Sequence, residues 1–177
     1  MSAGIPEGLN GPARRRSALE VVTERTGPVR CQLYDGDTIA PLFGRKNGPD
    51  WRTGHKDVED IDPPQTVLMV NLRKPPGTPL EHRYADRFLS RTELQWESQA
   101  STTPKGAKGR RLLNQARDGR TVHLFVRYHT KDGDGRGEPF VYCGRLTYLR
   151  HEGSKPIRMG WQLEEALPEG LWRAWSD

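Results

Sequence analysis

Long apolar runs are missing from this chain. Hydrophobic residues fill 33% of its 177 positions, the mean hydropathy is −0.84, and no stretch approaches the roughly 20 apolar residues that cross a bilayer. The first residues, with Pro6, Gly8, Asn10 and the triplet Arg14-Arg15-Arg16, hold no apolar signal-peptide core, so a cytoplasmic protein without a membrane partner is expected. Cysteine is scarce: Cys31 and Cys143 stand far apart with no CxxC spacing, which removes a zinc signature and favours buried free thiols over a disulfide. The five histidines (His55, His82, His123, His129 and His151) do not fall at metal-ligand spacings. His123 and His129 share one strand face but lie too far apart to hold one ion.

The signatures of catalysis are missing too. There is no nucleotide-binding G-x-x-x-x-G-K-[ST] loop, no G-x-S-x-G elbow and no H-E-x-x-H pair, each of which would bring phosphate-cradling amides, a strained nucleophile or a zinc-held water. Asp132-Gly133-Asp134-Gly135 lacks the later ligands of a calcium loop, and Arg136 opposes one, so it reads as a tight hairpin turn. Asp57, Glu59, Asp60 and Asp62 are carboxylates that a magnesium nuclease would need, but they read as a solvated acidic loop. A non-enzymatic chain with no cofactor and no metal is the expectation.

What the sequence does have is positive charge, turn residues and short strands. A net charge of +5 and a pI of about 9.4 favour a polyanionic partner. The 14 prolines and 19 glycines point to many turns. Residues 1–28 read as an arm or linker, with a short helix through Ala18, Leu19, Val21 and Val22 ended by Gly27-Pro28. Residues 29–177 read as a single domain. Its first helix begins at Asp35-Gly36-Asp37, buries Ile39, Leu42 and Phe43, and stops at Gly44. Residues 45–65 read as a long loop. Strands are expected over 66–72, 92–99, 121–130, 139–150 and 157–163, with a helical turn from Tyr84 to Ser90, a basic helix from Lys108 to Ala116, and a C-terminal turn or helix around Leu171, Trp172 and Trp175. Five strands with a few short helices make an α+β domain, expected as a strongly curved sheet or partly closed β-barrel.

The stretch from Trp96 to Arg111 carries the most chemistry. It leaves a strand through Ser98, Ser101, Thr102 and Thr103, passes Gly106 and Gly109, and enters a basic helix. Small residues let a phosphate approach backbone N–H groups, hydroxyls donate to it, and Lys105, Lys108, Arg110 and Arg111 bring charge and counterion release. The same composition also suits a solvated loop. In the third strand Val122, Leu124, Val126 and Tyr128 form an apolar face, while His123, Phe125, Arg127 and His129 form a mixed one. That second face suits either backbone contact with base stacking or a second core. The long strand is expected to line Phe140, Tyr142, Gly144, Leu146 and Tyr148 along one side, as a base lane or as ordinary core.

Several segments together resemble a bacterial domain of unknown function found at the C-terminus of phospholipase-D-like, DEAD-box helicase restriction proteins of the SauUSI type. They are Tyr34–Ile39, Leu68–Lys74, Tyr84–Ser90, Leu94–Gln99, Leu124–Arg127 and Tyr148–Pro156. Order and spacing agree from about Arg30 to Leu171, with the W-x-S-Q and H-E-G-S-K-P strings the most specific. The resemblance implies a target-recognition domain for DNA holding 5-methylcytosine or 5-hydroxymethylcytosine, built like SRA and PUA barrels that flip the base. The chain holds neither the nuclease nor the helicase parts, so it is expected as an excised domain or a stand-alone reader. Cleavage would come from a nuclease/helicase domain or subunit in cis or trans.

A flipped base needs rings above and below it, polar groups for its edge and an apolar niche for its substituent. Under this resemblance Trp96, Tyr128 and Tyr142 are stacking candidates, and Ser98, Gln99 or Glu97 edge readers. Strand alternation lets only Trp96 with Ser98, or Glu97 with Gln99, line one pocket. Backbone contacts are expected from Ser101, Thr102, Lys105, Lys108, Arg110, Arg111, Arg127, His151 and Lys155. A phosphorothioate-backbone reader, an RNA-binding PUA-like module and a protein-interaction module are the alternatives.

Overall fold

The computed structural model describes residues 27–80 and 85–176. The expected arm over 1–28, with its helix and arginine triplet, lies outside them but for its last two residues. Tyr84, expected to open a helical turn to Ser90, lies outside them too, and the rest of that stretch is not helical, since Arg87–Phe88 is a short strand.

In chain order the described residues form β1 (Leu33–Tyr34), α1 (Gly36–Leu42), a 3-10 turn (Pro49–Trp51), β2 (Gly54–Val58), β3 (Gln65–Asn71), β4 (Arg87–Phe88), β5 (Glu93–Glu97), α2 (Ala107–Leu113), β6 (Thr121–Arg127), β7 (Phe140–Glu152), β8 (Arg158–Leu163) and α3 (Glu169–Trp175). The strands make one mixed eight-stranded sheet in the order β2-β3-β6-β7-β8-β5-β4, with β1 added beside β7. β3 and β6 run parallel, pairing Gln65 with Thr121 through Asn71 with Arg127. The other ladders are antiparallel.

The class is α+β, as expected, but the sheet stays open. It ends on β2 and β4 and does not close into the expected barrel. β2 is the strand the 45–65 loop reading misses. Both faces of the sheet are covered from outside, so neither needs closure to leave water.

The first face carries Leu68, Val70, Trp96, Val122, Leu124, Met159 and Trp161, capped by Leu112 of α2 and flanked by Trp172 and Trp175 of α3. The second carries Val67, Met69, Phe125, Phe140 and Tyr142 under Ile39 of α1 and Phe43, which follows its last residue. α1 starts where expected, after Asp35, and buries Ile39 and Ala40. The central strands are buried on both sides, which explains the near-continuous apolar run of β3.

β7 does not keep one face along its length. The register slips where Leu124 pairs with Gly144 and Phe125 pairs with Tyr142, and Gly144 takes φ 103°, a conformation open to glycine. The bulge lets Cys143 and Leu146 both reach the first core while Phe140 and Tyr142 stay in the second. The expected aromatic lane from Phe140 to Tyr148 is therefore split between two faces. Cys143 is a buried free thiol, as expected, and its burial pushes its pKa well above the usual thiol range. Cys31 is exposed, unlike the buried thiol expected there.

Candidate nucleic-acid interface

The five residues expected to form a base pocket do not meet. Trp96 is 2% exposed in the first core, with the His55 ring edge-on at 6.2 Å. Tyr142 lies on the opposite face, its ring 4.9 Å from Phe125, and burial pushes its phenol pKa up to about 12. Its hydroxyl sits 2.8 Å from His123 Nδ1, and His123 Nε2 sits 2.9 Å from Gln65 Oε1. A neutral imidazole satisfies both, donating from Nε2 to the amide oxygen and accepting from tyrosine at Nδ1. Burial, then the Arg145 charge, brings the His123 pKa down to about 4.

Ser98 is likewise committed. Its Oγ accepts the buried Ile157 N–H at 2.9 Å, and its own N–H donates to Ile157 O at 3.0 Å. Gln99 is exposed, with Oε1 accepting from Lys108 Nζ at 3.0 Å. Tyr128 is half-buried, and its hydroxyl accepts from Arg73 Nε at 2.9 Å. The pairwise alternation holds, but the pocket built on it does not: strand β5 turns Trp96 into the core, and Ser98 serves as a clip.

The backbone-contact set divides in two. The Ser98–Ile157 clip, with Lys155 N–H donating to Thr102 O at 3.0 Å, holds the 98–106 loop against the turn between β7 and β8. The two most specific strings thus lie side by side. On this surface Ser101, Lys105, Lys108, Arg110 and Lys155 are exposed, and none of the four cations forms an ion pair among the described residues. Thr102 is buried, and its Oγ1 has no partner among the described residues. Gly106 N–H bonds both Thr103 O and Thr103 Oγ1, tying the loop to the start of α2.

Arg127 belongs elsewhere. It is 9% exposed, with Nε donating to Asn71 Oδ1, one terminal nitrogen to Glu138 O, and its guanidinium 4.3 Å from the centre of the Phe140 ring. His151 is exposed, with Nδ1 2.6 Å from the Tyr148 hydroxyl.

Arg111 turns inward rather than to the surface. It reaches Asp57 Oδ2 at 3.2 Å and Glu59 Oε2 at 3.6 Å. Asp57 also meets His55 Nε2 at 3.1 Å and accepts from Thr66 at 2.7 Å, while buried Arg120 reaches Glu59 at 2.7 Å. Burial pushes the Asp57 carboxyl up, but hydrogen bonds from His55, Thr66 and Arg111 outweigh it and hold the group well below the usual carboxylate range. This network anchors α2 to β2, so the acidic loop read at 57–62 is in part a buried ionic clamp. Asp60 pairs with Arg45 instead. No three His, Cys, Asp or Glu residues among the described ones are grouped to hold a metal. The clamp's signal was the alternation of His55 with Asp57, which a search for apolar periodicity passes over.

The architecture is an open α+β sheet that presents exposed cations without ion pairs among the described residues at a loop–hairpin junction. The chain belongs to the family described as a domain of unknown function, DUF3427, whose model matches residues 47–175. No curated protein matches the sequence. No helix among the described residues is long and apolar enough to cross a membrane.

Proposed function

We propose that this chain is a non-catalytic reader of modified DNA, acting in the cytoplasm for a restriction or defence system of the type IV kind. The modified base is 5-methylcytosine or 5-hydroxymethylcytosine, and nuclease and helicase functions come from an attached domain or a partner. The observation that carries the DNA-binding part is the surface formed by Lys105, Lys108, Arg110 and Lys155, held together by the Thr102–Lys155 and Ser98–Ile157 bonds. Four exposed cations that form no ion pair among the described residues, beside exposed hydroxyl and glycine backbone, suit a run of phosphates. The reading of the modification rests on the resemblance to SauUSI-type restriction proteins.

The test is the salt dependence of duplex binding. Each phosphate contact contributes about 0.9 to the slope of log K against log salt. The double variant Lys105→Ala with Arg110→Ala should weaken binding to every duplex and flatten that slope by roughly two units. An unchanged slope removes this surface from the interface.

A further inference from the structure

A second feature lies one strand away from the cationic surface. Between α3 and β4 opens a cleft of about 610 Å3, within the range of roughly 300–1,000 Å3 typical of small-ligand sites. Its walls are aromatic. Trp172, Trp175 and Tyr128 are each half-buried and line it. Trp175 is locked in place by stacking on Phe88 at 5.8 Å and 9°. Tyr128 is held by the Arg73 hydrogen bond, with the Arg73 guanidinium over its ring. Trp172 has no ring partner among the described residues. At the rim, Arg87 is exposed and forms no ion pair among them.

The floor is mixed. Leu72 and Phe88 supply an apolar patch, and Asp86, only 8% exposed, supplies a carboxylate. Asp86 Oδ1 accepts the Glu97 N–H at 2.9 Å and Oδ2 accepts from Lys74 Nζ at 2.5 Å. Each oxygen retains a second lone pair, and a carboxylate is the acceptor that suits the exocyclic amino group of cytosine. Rings to stack on, an acceptor for an amino group, an apolar niche and a cation at the rim together match a single cytosine-type base attached to a phosphate backbone. Asp86 also ties the cleft to the cationic surface: Glu97, whose N–H it accepts, immediately precedes Ser98 and the basic loop.

We infer that this cleft receives the extruded, modified cytosine of the bound DNA, with Trp172 as its stacking platform. The inference rests on the proposed DNA-reader function and names the pocket that function requires. It replaces the dispersed Trp96, Ser98 and Tyr142 set with residues that share one cavity.

The experiment uses the full chain and a short duplex with one central 5-methylcytosine, beside its unmodified twin, with 2-aminopurine next to the target base. Trp172→Leu keeps apolar bulk without a π-face, and Trp172→Phe restores a ring. Base–aromatic stacking predicts a loss of roughly 5- to 150-fold on the modified duplex for Trp172→Leu, little change on the unmodified one, and substantial rescue by Trp172→Phe. The aminopurine should brighten with wild type and stay dim with Trp172→Leu. Melting temperatures measured alongside separate folding from binding. A selective wild type whose selectivity survives Trp172→Leu overturns this pocket and leaves the reader standing. A wild type that binds both duplexes alike overturns the reader and the pocket with it. Selective loss without rescue by Trp172→Phe also overturns the stacking role.

Discussion

Gly109 gives the sharpest test of how the basic loop is built. It sits inside α2, where general helix propensity says alanine should stabilise by about 1 kcal/mol. The structure reverses the sign. A Cβ on Gly109 would lie 2.0 Å from the Thr103 carbonyl oxygen, 2.9 Å from its carbon and 3.2 Å from Ile157 Cδ1. The obstruction at Thr103 is backbone, so it cannot swing away as a side chain would. Relief requires the loop to retreat by more than about an ångström, given ordinary contact at 3.4–4 Å. That movement breaks the pair of bonds from Gly106 N–H to Thr103. Overpacking costs about 1–3 kcal/mol where the neighbours are flexible, and here the loop bonds add to it. After the propensity gain, Gly109→Ala should destabilise by about 1–3 kcal/mol, a fall in Tm of roughly 2–12 °C for a domain of this size. Gly170 in α3 is the control, because an added Cβ there meets nothing within 4 Å, and Gly170→Ala should raise Tm slightly. Thermal unfolding followed by circular dichroism reads both. A Gly109→Ala protein that melts higher than wild type, as Gly170→Ala should, refutes the close packing of loop on helix.

Two further outcomes follow from the buried polar groups. His123 has its folded pKa lowered to about 4 from an unfolded value near 6.5. The unfolded chain therefore takes up this proton first, so the stability contribution is complete above about pH 6.5 and is lost as pH falls toward 4, by roughly 3 kcal/mol. A pH series of denaturant unfolding should show that loss in wild type and less of it in His123→Gln, and parallel curves would refute the assignment. Ser98→Ala leaves the buried Ile157 N–H without its acceptor and should cost about 1–3 kcal/mol, weakening all duplexes equally. A loss confined to modified DNA would return Ser98 to the base-reading role.

The parts of this fold that alternate apolar with polar residues, or that run apolar without a break, were legible: β3, β5, β6, β8 and the helix starting after Asp35 lie where the pattern puts them. β2 was not. Its inward residues His55 and Asp57 are polar, with Asp57 held by His55, Thr66 and Arg111, so Gly54–Val58 carries no hydrophobic period. β1 and β4 have two residues each, too few for any period to show. The candidate site divided along similar lines. Local composition marked Lys105, Lys108 and Arg110, and the H-E-G-S-K-P string marked Lys155, but only tertiary pairing reveals that Arg111 and Arg127 are spent internally. The lane from Phe140 to Tyr148 splits at the Gly144 bulge, which puts Leu146 and Tyr148 on the other face from Phe140 and Tyr142. Trp172 and Asp86 share a cleft across 86 positions of sequence, which no spacing rule connects.

The central claim is modification-dependent recognition, and one measurement addresses it. The affinity of a single duplex is determined at fixed salt in unmodified, 5-methylcytosine, 5-hydroxymethylcytosine and phosphorothioate forms. The substituent is worth about 1–3 kcal/mol in a fitted niche, so a cytosine-modified form should bind roughly 5- to 150-fold more tightly than the unmodified one, with the phosphorothioate form near the unmodified value. Equal affinity for all four forms, or a preference for the phosphorothioate alone, would contradict the account.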